Sequence, residues 1–169
     1  MKLNLKTLTL IFAGLVLFSS CEDWKAYEPE QLPGNHMANE WYVTYKVGGV
    51  DIYNFGYSTI ITSTTAAADG ENLIVTDQGH FWDYLVKSPM NADAKTFGIS
   101  AAGDSLTNLV DGYDIKIRVT NGKVIAGGGT SKTGVKVDSI YMEIEFADDP
   151  GTIYEVGGHG RTGFEEDDY

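Results

Sequence analysis

The chain is poor in cysteine, with one at position 21 in 169 residues. No disulfide can form within it, which excludes a disulfide-stapled fold. Basic residues are also scarce, 12 lysines and arginines against 24 aspartates and glutamates. A formal charge of −12, with the cations scattered, excludes nucleic acid as a partner. The only imidazoles are His36, His80 and His159. No two have metal-ligand spacing, so no metal or cofactor is expected. No G-x-S-x-G nucleophile elbow occurs. Helical periodicity is missing as well; the best candidate is about one turn near Ser105 to Asp111. What is present is 43% hydrophobic and 12% aromatic residues, enough for the core of one domain.

The first segment reads as an address. Lys2 and Lys6 precede an apolar run from Leu8 to Phe18, then Ser19 and Ser20. The run is shorter than the roughly 20 residues a bilayer span needs, so residues 1–20 are expected to be a cleaved secretory signal. The ending Leu17 to Cys21 resembles the bacterial lipobox, which implies an acylated Cys21 as the membrane attachment. Loss of Lys2 and Lys6 leaves 10 basic and 24 acidic residues, a formal charge of −14, so the body should stand off anionic headgroups. Glu22 and Asp23 resemble the surface-export signal of Bacteroides-group lipoproteins, implying an outer-membrane, cell-surface location. The periplasmic face is the alternative, because elsewhere such acids resemble an inner-membrane retention mark. Residues 21–38, with Pro29, Pro33 and Gly34, read as a flexible tether, and residues 39–169 as the folded domain.

From Asn39 the chain alternates with period two. Trp41, Val43, Tyr45 and Val47 share one face, while Tyr42, Thr44 and Lys46 share the other. Gly48-Gly49 predicts a hairpin turn into a long strand-like stretch over 51–64, bent at Gly56. Short strand-like runs follow to the end of the chain. Asn121-Gly122 predicts a two-residue hairpin between 113–120 and 123–127, with Ile115, Ile117 and Val119 inward and Lys116 and Arg118 on a wet face. The apolar phase slips between Val137 and Ile140, predicting a bulge near Asp138-Ser139. The expected fold is all-β: an antiparallel up-and-down β-barrel of about eight strands.

Three motifs fail on context. Gly127 to Thr133 lacks a glycine directly before Lys132 and leads into a strand, so it is no phosphate loop. The glycines of Gly158 to Gly163 have no helix after them, which removes a dinucleotide reading. Glu165 to Asp168 lacks the spacing of a calcium loop and reads as a solvated tail. His80, flanked by Asp77 and Asp83, reads as a turn histidine, and it and His159 are the weak candidates for catalysis.

Asn39-Glu40-Trp41 resembles the G-x-W opening of lipocalin-like barrels, with Asn39 in place of glycine. That likeness implies a calycin-like barrel closed by Arg161 packed across Trp41. Asp138-Ser139-Ile140, Asp148 to Thr152 and Gly160 to Phe164 resemble a family of Bacteroides-group lipoproteins described as lipid-binding putative hydrolases, over most of 38–168. The resemblance implies a lipid-like ligand and transfers no catalytic residue. The expected function is binding of a small apolar or amphipathic ligand without catalysis. Trp41, Val43, Tyr45, Tyr57, Trp82, Ile117 and Met142 are the candidates to line its cavity. The alternatives are a hydrolase of lipid or ester, and a surface module that binds glycan or protein through exposed aromatics.

Overall fold

The computed structural model describes residues 32–100 and 102–169. The signal segment, Cys21 and the tether up to residue 31 lie outside the described residues. Among the described residues the alternating runs form nine antiparallel strands: β1 (Asn39–Lys46), β2 (Ser58–Thr64), β3 (Asn72–Thr76), β4 (Leu85–Asn91), β5 (Thr96–Phe97), β6 (Leu106–Thr107), β7 (Lys116–Thr130), β8 (Lys136–Phe146) and β9 (Tyr154–Gly160). They join as β4-β3-β2-β1-β9-β8-β7, and β5 pairs with both β4 and β7 to close the ring. β6 continues the same position further along: it pairs with β7, and the Leu109 amide donates to the Leu85 carbonyl of β4. The result is a closed eight-stranded antiparallel barrel whose eighth strand is broken into β5 and β6.

Closure abolishes sheet edges and puts every second side chain inside. Trp41, Val43, Tyr45, Ile60, Leu73, Val75, Val86, Ile117, Val119, Met142, Ile144 and Val156 form one buried cluster. One end of the barrel is sealed before β1 begins. A 3-10 turn at Asn35–Met37 drives Met37 into the core, where it is fully buried. The Thr62 hydroxyl there accepts from Trp41 Nε1 at 2.8 Å and donates to the Met37 carbonyl at 2.5 Å. Met37, ahead of β1, is thus part of the same buried cluster as the strands.

Local expectations met mixed outcomes. Gly48-Gly49 does make a tight turn, with Val47 and Val50 hydrogen-bonded to each other. The stretch after it is a loop, and the strand begins only at Ser58. Asn121-Gly122 is not a hairpin turn but a bulge inside the continuous strand β7. Asn121 takes the left-handed φ of 56°, and the extra residue shifts the inward positions from Ile117 and Val119 to Gly122 and Val124. A side chain at 122 would meet the Phe97 carbonyl at 2.5 Å, so close approach of β5 requires glycine there. The reversal comes instead at Ser131 to Gly134. The bulge expected on β8 is absent: β8 runs unbroken, and the surplus residues lie opposite it on β7, between Ile125 and Gly129. No helix forms near Ser105, where Leu106 and Thr107 join the barrel.

The acidic end is a docked strap rather than a solvated tail. Residues Glu165–Asp167 form a 3-10 turn against the outer wall. Asp167, 1% exposed, accepts from the Thr133 amide and the Thr162 hydroxyl, each at 2.7 Å. Asp168 accepts from the Tyr42 hydroxyl at 2.6 Å.

Candidate functional site

The inward positions named from the sequence are core. Trp41, Val43, Ile117 and Met142 are completely buried and Tyr45 nearly so, packed against one another. An eight-stranded barrel is just wide enough to be filled by such side chains. Tyr45 and Tyr84 meet hydroxyl to hydroxyl at 3.1 Å, and burial pushes both phenols well up, so both stay neutral. Tyr57 faces outward, 43% exposed and stacked on Tyr169 at 3.9 Å.

Aromatic rings cap the end opposite Met37. The fully buried Asp77 carboxylate accepts five backbone amides, those of Gly79, Phe81, Trp82, Asp83 and Tyr84, at 2.7–3.2 Å. That cradle folds the loop between β3 and β4 over the barrel mouth. Phe81 then stacks on Tyr45 at 3.9 Å and Trp82 on Phe146 at 4.6 Å. Trp82 Nε1 and the Tyr113 hydroxyl both donate to Asp148. Trp82 is thus part of the lid and lines a shallow cleft of about 500 Å³ with Asp83, Tyr113 and Asp148.

A larger concavity lies on the outer wall. This cleft of about 900 Å³ runs along the outward residues of β7 and β8, between the segment 96–100 and Ile153. Its volume falls in the ~300–1,000 Å³ range of small-molecule sites. Ile99, Tyr141 and Ile153 give it an apolar side, and Arg118, Lys123, Glu143 and Glu145 supply two cations and two anions. Both carboxylates are occupied by uncharged donors. Glu143 accepts from Asn121 at 2.8 Å and from Tyr141 at 3.2 Å, and Glu145 from the Gly151 amide at 2.9 Å. Arg118 faces Glu145 in register, yet among the described residues it makes neither an ion pair nor a hydrogen bond. Its Nε is buried and unpartnered.

The remaining candidates lie elsewhere. His80 is exposed, with Nδ1 at 2.7 Å from the Thr59 hydroxyl and no carboxylate bonded to its other nitrogen among the described residues. His159 is buried under the strap, with Nε2 at 3.1 Å from the Tyr169 hydroxyl. The two histidines do not meet. Arg161 does not cross Trp41: it follows Gly160, the cross-strand partner of Trp41, and so projects from the opposite, outer face. There it grips Glu40 at 3.1 Å and Asp168 at 2.9 Å, with its guanidinium 5.8 Å from the Tyr42 ring centre. Barrel closure at that end comes from Met37 and Thr62, and Arg161 clasps the strap instead.

A family model described as "Lipid-binding putative hydrolase" matches residues 26–165. The chain belongs to this family. The lipid-binding description fits an all-β barrel with an amphipathic cleft, and no curated protein matches the chain. Within this family member, the three stretches that carried the resemblance have structural work. Asp138 holds the Gly127 amide at 2.8 Å, Asp148 and Asp149 anchor Trp82 and Tyr154 at the mouth, and Arg161 and Thr162 hold the strap. Sequence reasoning placed Arg118 correctly on the outer face but gave it no role. Its surroundings in the cleft come from strands and loops distant in sequence, and no local pattern records that.

Proposed function

We propose that this protein binds a lipid-like amphiphile without catalysis, and that the ligand lies in the outer-wall cleft rather than inside the barrel. The observation that carries this reading is the pairing of a packed interior with a large, half-apolar cleft on the outer wall. Family membership supports the lipid class of the ligand. Acylation at Cys21 would hold the protein on the outer membrane, surface-exposed, with the cleft free to face its ligand.

The test uses the chain from residue 22 onward, which contains the whole closed barrel unit. Titration with dodecanol, followed through backbone amide resonances, is expected to be saturable and to move Gly98, Ile99, Lys123 and Glu145. Shifts confined to Phe81, Trp82 and Tyr113 would put the ligand at the mouth and refute the cleft. Absence of saturable binding would favour a glycan- or protein-binding surface. Turnover of an ester that is lost in His80→Ala or His159→Ala would refute the non-catalytic reading. Palmitate labelling that disappears in Cys21→Ala, together with protease sensitivity on intact cells, is the expected result for anchoring and location.

A further inference from the structure

A guanidinium carries five donors in a planar fork and stays charged at any physiological pH. Buried polar groups in folded proteins almost always have partners, so an unpartnered one calls for an explanation. Arg118 stands on the outer face of β7, lines the outer-wall cleft, and has a buried Nε with no hydrogen-bond partner among the described residues. Glu145 sits directly across the strands, and Glu143 lines the same cleft. Neither lies within ion-pairing distance of Arg118; Glu143 is engaged by Asn121 and Tyr141, Glu145 by the Gly151 amide. Lys123, the other cation there, lies over the Tyr141 ring at 5.3 Å. In a chain with twice as many acids as bases, Arg118 thus stands in an amphipathic cleft without an ion pair among the described residues.

Building on the cleft reading above, we infer that the amphiphile is acidic: Arg118 binds the oxyanion of its head, a carboxylate or a phosphate monoester, while its chain lies along Ile99, Tyr141 and Ile153. The planar fork matches two oxygens of such a head. Thr120 and Ser100, which also line the cleft, are uncharged neighbours for the remaining oxygens.

The test compares four probes on the chain from residue 22: dodecanoate, dodecyl phosphate, dodecanol and inorganic phosphate. The expected result is that both acidic amphiphiles bind at least about tenfold more tightly than dodecanol, the scale of a charge-assisted hydrogen bond, and that inorganic phosphate binds at least about tenfold more weakly than dodecyl phosphate. Arg118→Met should lose that preference by weakening the acids relative to dodecanol, with the unfolding temperature unchanged. Arg118→Lys should retain part of it, as a point charge without the fork. Equal affinity of dodecanol and dodecanoate in the cleft of the parent chain would overturn the headgroup assignment and leave the cleft standing. A preference that survives Arg118→Met would overturn it too, as would a large fall in unfolding temperature, which would give the guanidinium a structural role. Failure of every dodecyl probe to bind would instead refute the cleft reading itself.

Discussion

The Asp77 cradle allows a sharp test of how the mouth is held. Replacement by asparagine keeps the volume but turns one acceptor oxygen into a donor. Oδ1 receives Gly79 and Tyr84, and Oδ2 receives Phe81, Trp82 and Asp83. Whichever way the new amide points, its NH2 faces two or three backbone donors. The amides of Gly79 and Asp83 belong to exposed residues and can turn to water, whereas that of Tyr84 belongs to a fully buried one. Hydrogen bonds to a charged acceptor contribute about 1.5–3 kcal/mol each, and a buried donor left unmade costs about 1–3 kcal/mol. Rehydration of the outer amides leaves a net loss of about 2–4 kcal/mol for Asp77→Asn and about 3–5 kcal/mol for Asp77→Ala. With a urea slope of about 1.5–2 kcal/mol/M, the asparagine variant should unfold about 1–2.7 M earlier. Urea unfolding followed by tryptophan fluorescence measures this, since Trp82 loses its stacking on Phe146 as the lid loosens. A midpoint within about 0.3 M of the parent, with unchanged near-ultraviolet circular dichroism, would refute the idea that this carboxylate organises the lid.

Three further outcomes follow from the same geometry. Gly122→Ala places a methyl against the Phe97 carbonyl and ring, so it should destabilise by about 1–3 kcal/mol in thermal unfolding, whereas Gly127→Ala, with open space around it, should show only backbone strain. Met37→Ala should cost about 2–5 kcal/mol, and a chain starting at Asn39 should be less stable than one starting at residue 31, as judged by urea midpoints. Burial alone would raise the Asp167 carboxyl, but donors from Thr162, Thr133 and Ser131 overcome it and hold the group at about 2. Its folded value lies below the ordinary 3.8, so the strap is fully secured above about pH 4 and released as pH falls through about 2. The Thr133 amide resonance should titrate near 2, and an inflection near 3.8 would show that the contact does not form in solution.

Much of the architecture was legible because period-two alternation is a local property. Trp41, Val43 and Tyr45 declare an inward face from neighbours two residues away, and the succession of such runs with short connections leads to an antiparallel barrel. The glycine pair at 48–49 declares its turn in the same way. What the sequence could not carry were decisions taken across the barrel. Asn121-Gly122 has the composition of a hairpin, yet β8 offers Glu143 and Tyr141 as partners on either side of it, and β5 needs the glycine's missing side chain, so the pair becomes a bulge. Arg161 left the Trp41 face because one residue of register turns a side chain to the other side of a strand. The acidic end reads as solvated until the turn at Thr133, Tyr42 of β1 and Arg161 just after β9 are brought beneath it. Pattern determined that the barrel has an inside; only the tertiary structure decided which side chains meet there. The outer cleft, and the place of Arg118 in it, exist only once β7, β8 and the segment after β5 are folded together.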